Sequence, residues 1–219
     1  MKNWIKRIFD YVFSVIGLIL SLPLWIIIAF LILLDEGSPI FYFQDRIGKN
    51  GIIFKGIKFR SMVKTGETPA GFIQAEENDI RVTKIGEILR ATAMDELPQL
   101  WNIVKGEMSF VGPRALVPRE KQANEAIARS VFDVPGFSER SKIKPGLTGV
   151  AQVFAPRDIN REDKFRYDIW YIKNQSLFLD LYLIILSFLV TFKRGWEVRS
   201  DKFDSLGNTL KRRIESQLS

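Results

Sequence analysis

Asp95 and Glu96 stand side by side in a chain of 219 residues that contains neither His nor Cys. With no imidazole and no thiol, covalent or acid–base chemistry falls to a carboxylate. The same absence leaves a protein-built zinc site without its usual ligands, and it removes disulfides and thiolate metal sites. Oxygen ligation of a hard cation such as Mg²⁺ stays open. The absence of Cys also fits a reducing compartment. The pair sits in the run Leu89-Arg-Ala-Thr-Ala-Met-Asp-Glu-Leu-Pro-Gln-Leu-Trp-Asn102. Taken alone, two acids there serve as capping groups that complement a helix dipole.

The elements that must hold this pair are readable around it. Leu97, Leu100, Trp101 and Val104 recur at helical spacing up to Lys105-Gly106, with Pro98 in the first turn, where proline is tolerated. Asp95 and Glu96 therefore fall at or just before a helix N-terminus. Upstream, Lys84 to Arg90 reads as helix. Phe41 to Gln44 and Ile52 to Met62 flank a turn with Asn50-Gly51, which predicts a β-hairpin. Between them, Lys64 to Asp79 carries Gly66, Pro69 and Gly71 and reads as a loop, either a lid or a connector. Downstream, Gly112-Pro113 makes a turn that presents Arg114, and Ala123 to Phe132 reads as a short helix. Lys142 to Gly149 is a basic, glycine-containing loop with a strand expected at Val150 to Phe154. Arg161 to Lys173 reads as a charged helix with aromatics on one face, and Lys202 onward as a loosely held polar tail. The fold class expected is α+β and predominantly helical.

Tyr11 to Leu34 runs 24 residues without a charge, after Lys2, Lys6 and Arg7 and before Asp35-Glu36-Gly37. At about 36 Å this is long enough for a bilayer core. A cleaved signal peptide fits poorly, because the run is too long and no small-x-small site follows. Two dispositions remain: a span, or a re-entrant helix returning to the same face. Pro23, which cannot donate to Ile19, is expected to kink the helix. Basic residues on both sides of the run favour one cytoplasmic face for both, a weak rule for long domains. A second apolar stretch, Leu177 to Phe192, contains Asp180 and ends at Lys193-Arg194-Gly195-Trp196. It reads either as a helix in the headgroup region or as a buried core helix.

The net charge of +7 and pI near 9.6 point to an anionic partner: nucleic acid, phospholipid headgroups or a phosphorylated substrate. No Walker-type loop, Asp-x-Asp motif or nucleic-acid recognition motif is present. Lys58, Arg60, Arg90 and Arg114 taken singly read as ordinary solvated charges.

Several runs in one order resemble a known family. Lys6-Arg-Ile-Phe-Asp10, the Pro-interrupted apolar run, Phe54-Lys-Gly-Ile-Lys-Phe-Arg-Ser-Met62, Arg90 followed by Asp95-Glu-Leu-Pro-Gln-Leu-Trp-Asn-Ile103, Gly106-Glu-Met-Ser-Phe-Val-Gly-Pro-Arg114, and Lys144-Pro-Gly-Leu-Thr-Gly149 with Ala151-Gln-Val153 are similar to the bacterial sugar transferases. More narrowly, they resemble the monotopic polyprenol-phosphate phosphoglycosyl transferases. The resemblance covers about residues 4 to 195.

It implies transfer of a phosphosugar from a UDP-sugar to polyprenol (undecaprenyl) phosphate with release of UMP, the initiating step of a bacterial glycan. By position Asp95 would be the nucleophile of a covalent aspartyl-phosphosugar intermediate. Glu96 would assist through Mg²⁺ or proton management, both acids serving the metal. Lys58, Arg60, Arg90, Arg114 and Arg157 would face the substrate phosphates. The family's Pro-kinked re-entrant helix, here at Pro23, would make this a monotopic protein on the cytoplasmic face of the inner membrane. The chain would then divide into a membrane helix with basic N-terminus (1–36), a catalytic domain (37–200) with an interfacial helix at 177–192, and a tail (201–219). Membrane phospholipids are expected partners, nucleic acid is not, and a homodimer is left open.

Two regions depart from the family pattern, one at the proline of the apolar run and one around Gln152. Leu22-Pro23 stands where Ser-Pro is frequent, with Ser21 one residue earlier. Phe154-Ala-Pro-Arg157 replaces an Asn-Gly-Arg-like loop, and Val150 a frequent Trp, which leaves the equivalence of Arg157 open. The competing class is a non-catalytic, membrane-anchored basic module that binds anionic lipid or an acidic partner.

Overall fold

The computed structural model describes residues 3–63, 79–118, 130–156, 159–192 and 208–218. Most of the loop read at Lys64 to Asp79, most of the helix read at Ala123 to Phe132, Arg157, and the Lys193 to Trp196 run lie outside them. The chain opens with helix α1, Asn3–Glu36, which carries Pro23 inside it. It is the one helix among the described residues long and apolar enough to cross a membrane. Its two faces differ. A stripe at helical spacing docks on the rest of the molecule: Asp10, Ser14, Ile28 and Ile32 are buried, and Leu18, Leu24 and Trp25 pack beside them. The opposite face leaves Ile8, Val12, Ile16, Ile19, Leu20, Ile26, Phe30 and Leu34 exposed. Ser21 Oγ donates to Leu18 O (3.2 Å), one turn ahead of Pro23.

Strands β1, Phe41–Ile47, and β2, Ile53–Phe59, form the expected antiparallel hairpin. Its turn needs two successive residues in the left-handed region, and Asn50 (φ 56°) and Gly51 (φ 79°) supply them. Phe41 and Phe59 stack at one end of the hairpin, and Trp25 of α1 packs edge-on to Phe59. Helix α2, Lys84–Ala91, starts at Thr83, whose side chain accepts from Gly86 N. Helix α3, Gln99–Val104, follows the carboxylate pair and packs along α1. The contact is close at Gly17, where an added Cβ would stand 3.3 Å from Leu100.

Strand β3, Ser109–Val111, pairs in parallel with β4, Gly146–Thr148. A Cβ on Gly146 would lie 2.1 Å from Gly112 N, so only glycine lets these two segments meet. The loop read at Lys142 to Gly149 thus contains a strand. Helix α4, Phe137–Arg140, precedes it. Val150 to Phe154, expected as a strand, is instead helix α5, Val150–Phe154. A five-residue apolar run has no period to distinguish the two states, and burial of Val150 and Phe154 against later helices decides for helix.

Helix α6, Arg161–Asn174, begins at Asn160, whose side chain accepts from Asp163 N. The stretch forms helix α7, Leu177–Phe192, and one of its faces is buried as the core reading expects. Leu179, Leu183 and Leu186 enter the main core with Tyr171 and Trp170, while Phe178, Leu181, Ile185 and Phe188 stay exposed. The segment from Lys202, read as a loose tail, contains helix α8, Asn208–Leu218. Its Ile214 is fully buried in that core and Gln217 accepts from Trp170 Nε1 (2.6 Å). One apolar side chain every turn suffices to dock a helix that is polar elsewhere.

Candidate active site

Asp95 and Glu96 form a short 3₁₀ turn, Met94–Glu96, between α2 and α3. The turn is launched by Ala93 in the left-handed conformation (φ 55°), a strained position for a residue with a Cβ. Asp95 is 7% exposed. Lys58 of β2 reaches both acids, with Nζ 2.5 Å from Glu96 Oε1 and 3.3 Å from Asp95 Oδ2.

Asn102 holds this geometry. Fully buried in α3, its Oδ1 accepts from Ile57 N (3.2 Å) and its Nδ2 donates to Lys55 O (2.8 Å) and Glu107 Oε2 (2.6 Å). It thereby pairs with β2 as a neighbouring strand would, one residue before Lys58. The lysine and the carboxylates are fixed to one another through a single amide.

The two carboxylates are driven apart electrostatically. Burial raises Asp95, with Lys58 opposing and the charge of Glu96 adding to the rise. Burial also opposes ionisation of Glu96, but Lys58, Arg114 and Arg46 together hold it below the usual carboxylate range. A cleft beside the pair is lined by Arg46, Lys58, Glu96, Gln99, Arg114, Ala115, Gly146, Leu147 and Gln152.

Of the residues expected at phosphates, Lys58 and Arg114 line this cleft, and Arg90 lies near enough to lower Asp95. Arg60 stands elsewhere: buried, its Nη2 donates to Gly37 O (2.5 Å) just past α1. Arg157 is outside the described residues. Arg46 and Gln152 are the residues sequence reasoning passed over. Arg46 sat in the flank of an obvious turn, and only cross-strand register puts it on the face of Lys58. Gln152 donates to Leu147 O (2.9 Å) and leaves a buried Oε1 without a donor.

Comparison with known proteins places the chain. The family profile "Bacterial sugar transferase" matches residues 1–194. The chain belongs to the bacterial sugar transferase family. A "UDP-galactose-lipid carrier transferase" of Erwinia amylovora is 38% identical over 207 residues, covering 88% of this chain and 41% of the relative. The "UDP-glucose:undecaprenyl-phosphate glucose-1-phosphate transferase" of Klebsiella pneumoniae is 41% identical over 193 residues, 86% of this chain and 39% of the relative. "Exopolysaccharide production protein ExoY" of Sinorhizobium fredii is 36% identical over 193 residues, 82% and 81% of the two chains. The chain thus spans about two fifths of the first two relatives and most of the third.

Within this sugar transferase the described residues contain no cluster of three or more acids for a metal ion. Asp95 and Glu96 suit a hard cation that takes one or two carboxylates and completes its shell with water and substrate phosphate.

Proposed function

We propose that the chain transfers a phosphosugar from a UDP-sugar to undecaprenyl phosphate, releasing UMP. The observation that carries this reading is one buried carboxylate, Asp95, joined to Glu96 by Lys58 at a cleft lined by Arg46 and Arg114. In the first step an Asp95 carboxylate oxygen attacks the β-phosphorus, the bond to the bridging oxygen of UMP breaks, and an aspartyl-phosphosugar forms. In the second a phosphate oxygen of the lipid attacks the same phosphorus and Asp95 leaves as carboxylate. Such transfers need in-line positioning and charge neutralisation more than a strong base. Lys58 orients the acids, and Arg46, Arg90 and Arg114 offset the diphosphate. Mg²⁺, held by Asp95 and Glu96, would supply further neutralisation of phosphate charge.

The membrane disposition we propose is re-entrant, on the cytoplasmic face of the inner membrane. Both ends of α1 are tied to the same body. Lys6 Nζ lies 2.7 Å from the buried Asp180 Oδ2, Asp10 accepts from Phe110 N, and Asp35 accepts from Ile85 N. A helix with its ends on opposite sides of a bilayer would leave one of these attachments across about 30 Å of hydrocarbon. The exposed apolar faces of α1 and α7 are the surfaces that would meet lipid. A merely anchoring basic module has no use for a buried acid at a strained turn.

The test is UMP release from a panel of UDP-sugars with undecaprenyl phosphate and Mg²⁺. Asp95→Asn is expected to abolish release and covalent phosphosugar labelling while membrane association persists. Wild-type turnover by Asp95→Asn would overturn the assignment.

A further inference from the structure

Every carbonyl of the segment that carries Arg114 is taken by a different donor. Gly146 N donates to Pro113 O (2.9 Å), Arg140 Nη2 to Arg114 O (2.8 Å), Arg46 Nη1 to Ala115 O (2.7 Å), and Ile47 N to Leu116 O (2.8 Å). Two of these donors are backbone groups, and Arg46 itself lines the cleft. Arg140 is different. It is 4% exposed, away from the cleft lining, and its guanidinium carbon lies 4.4 Å from the centre of the Phe165 ring. Its Nε stands 2.9 Å from Asp168 Oδ2, and Asp168 is 3% exposed.

A buried ion pair is weak as a source of stability, because desolvation offsets much of its attraction. An aliphatic pair of similar volume would fill the space beside Phe165 without that cost. What the guanidinium adds is a second nitrogen for the Arg114 carbonyl, with Asp168 fixing its plane. The consequence falls on the Arg114 side chain. That side chain is exposed, lines the cleft and acts by its charge on Glu96, and the carbonyl that Arg140 holds fixes the backbone from which it reaches there.

We propose that Arg140, oriented by Asp168, is a positioning residue that fixes the root of Arg114 beside the Asp95–Glu96 pair. The inference rests on the phosphosugar-transfer reading above. It makes Arg140 and Asp168 part of the machinery although neither touches substrate.

A double-mutant cycle on the full chain tests it, with a UDP-sugar that the wild type turns over and UMP release as readout. Arg140→Lys keeps a cation beside Asp168 but lacks the planar fork that serves both partners. Alone, it is expected to lower kcat by about tenfold to a hundredfold, the scale of a displaced catalytic group. In an Arg114→Ala background the same change is expected to cost less than about twofold, because the group it positions is gone. Equal losses in both backgrounds, or no loss in the first, would overturn the proposal. If Arg140→Lys shows no cooperative thermal transition, Asp168→Glu, which tilts the guanidinium while keeping the pair, takes its place in the cycle with the same criterion. Absence of UMP from any UDP-sugar with the wild type would instead sink the underlying reading.

Discussion

At the scale of single residues, the Lys58 bridge gives Asp95 and Glu96 separate characters although they are neighbours in sequence. Burial raises the Asp95 carboxyl, so its ionised fraction falls at a pH above that of an ordinary aspartate. We expect the acid limb of kcat/KM to lie correspondingly high. Lys58 opposes that rise, so Lys58→Met should move the limb to higher pH. Glu96 adds to it, so Glu96→Gln should move the limb of the residual activity to lower pH. A limb that stays put in both variants would mean that another group titrates there. Sequence alone made this pair visible because the chain offers no His or Cys to compete with it. Lys58 and Arg114 followed from the family runs. Arg46 did not, since its place beside Glu96 depends on the pairing register of the hairpin. Nor was the site of Arg60 legible: two residues from Lys58 in sequence, it is turned to a carbonyl past the end of α1.

At the scale of elements, close approach explains what composition could not. The crossing of Gly112 and Gly146 leaves no room for a methyl group, as a Cβ on Gly146 would meet Gly112 N at 2.1 Å. Gly146→Ala is expected to cost about 1–3 kcal/mol or more, read by thermal denaturation, because a backbone atom cannot yield as a side chain can. An unchanged melting temperature would contradict the packing. The long helix and the hairpin were legible because each carries a strong local signal: an uncharged run of 24 residues, and an Asn-Gly turn. Strands β3 and β4 are three residues each and gave none. Helix α8 was hidden for a similar reason, since its docking rests chiefly on Ile214. Ile214→Ala should lower stability by about 2–5 kcal/mol, measured by the same denaturation. Its α8 lies beyond residue 194, where the family match ends.

At the scale of the whole molecule, the absence of native Cys allows a direct test of disposition. Single cysteines placed at Trp4 and at Ser38 should both react with an impermeant thiol reagent from the cytoplasmic side of inverted vesicles, and neither from the other. Labelling from opposite sides would establish a span. Phe178→Glu with Phe188→Glu, on the exposed face of α7, should loosen membrane association without disturbing the buried Leu179 and Leu183. The docking of α1 along its length has a further result. A free span tilts or stretches its surroundings to match bilayer thickness. In the re-entrant disposition we propose, with the helix tied at both ends to the body it packs on, immersion depth would be a property of the protein rather than of the lipid. Turnover should therefore vary little among vesicles of different acyl-chain length. The carboxylate would keep its height relative to the headgroups while the far leaflet moved away beneath it.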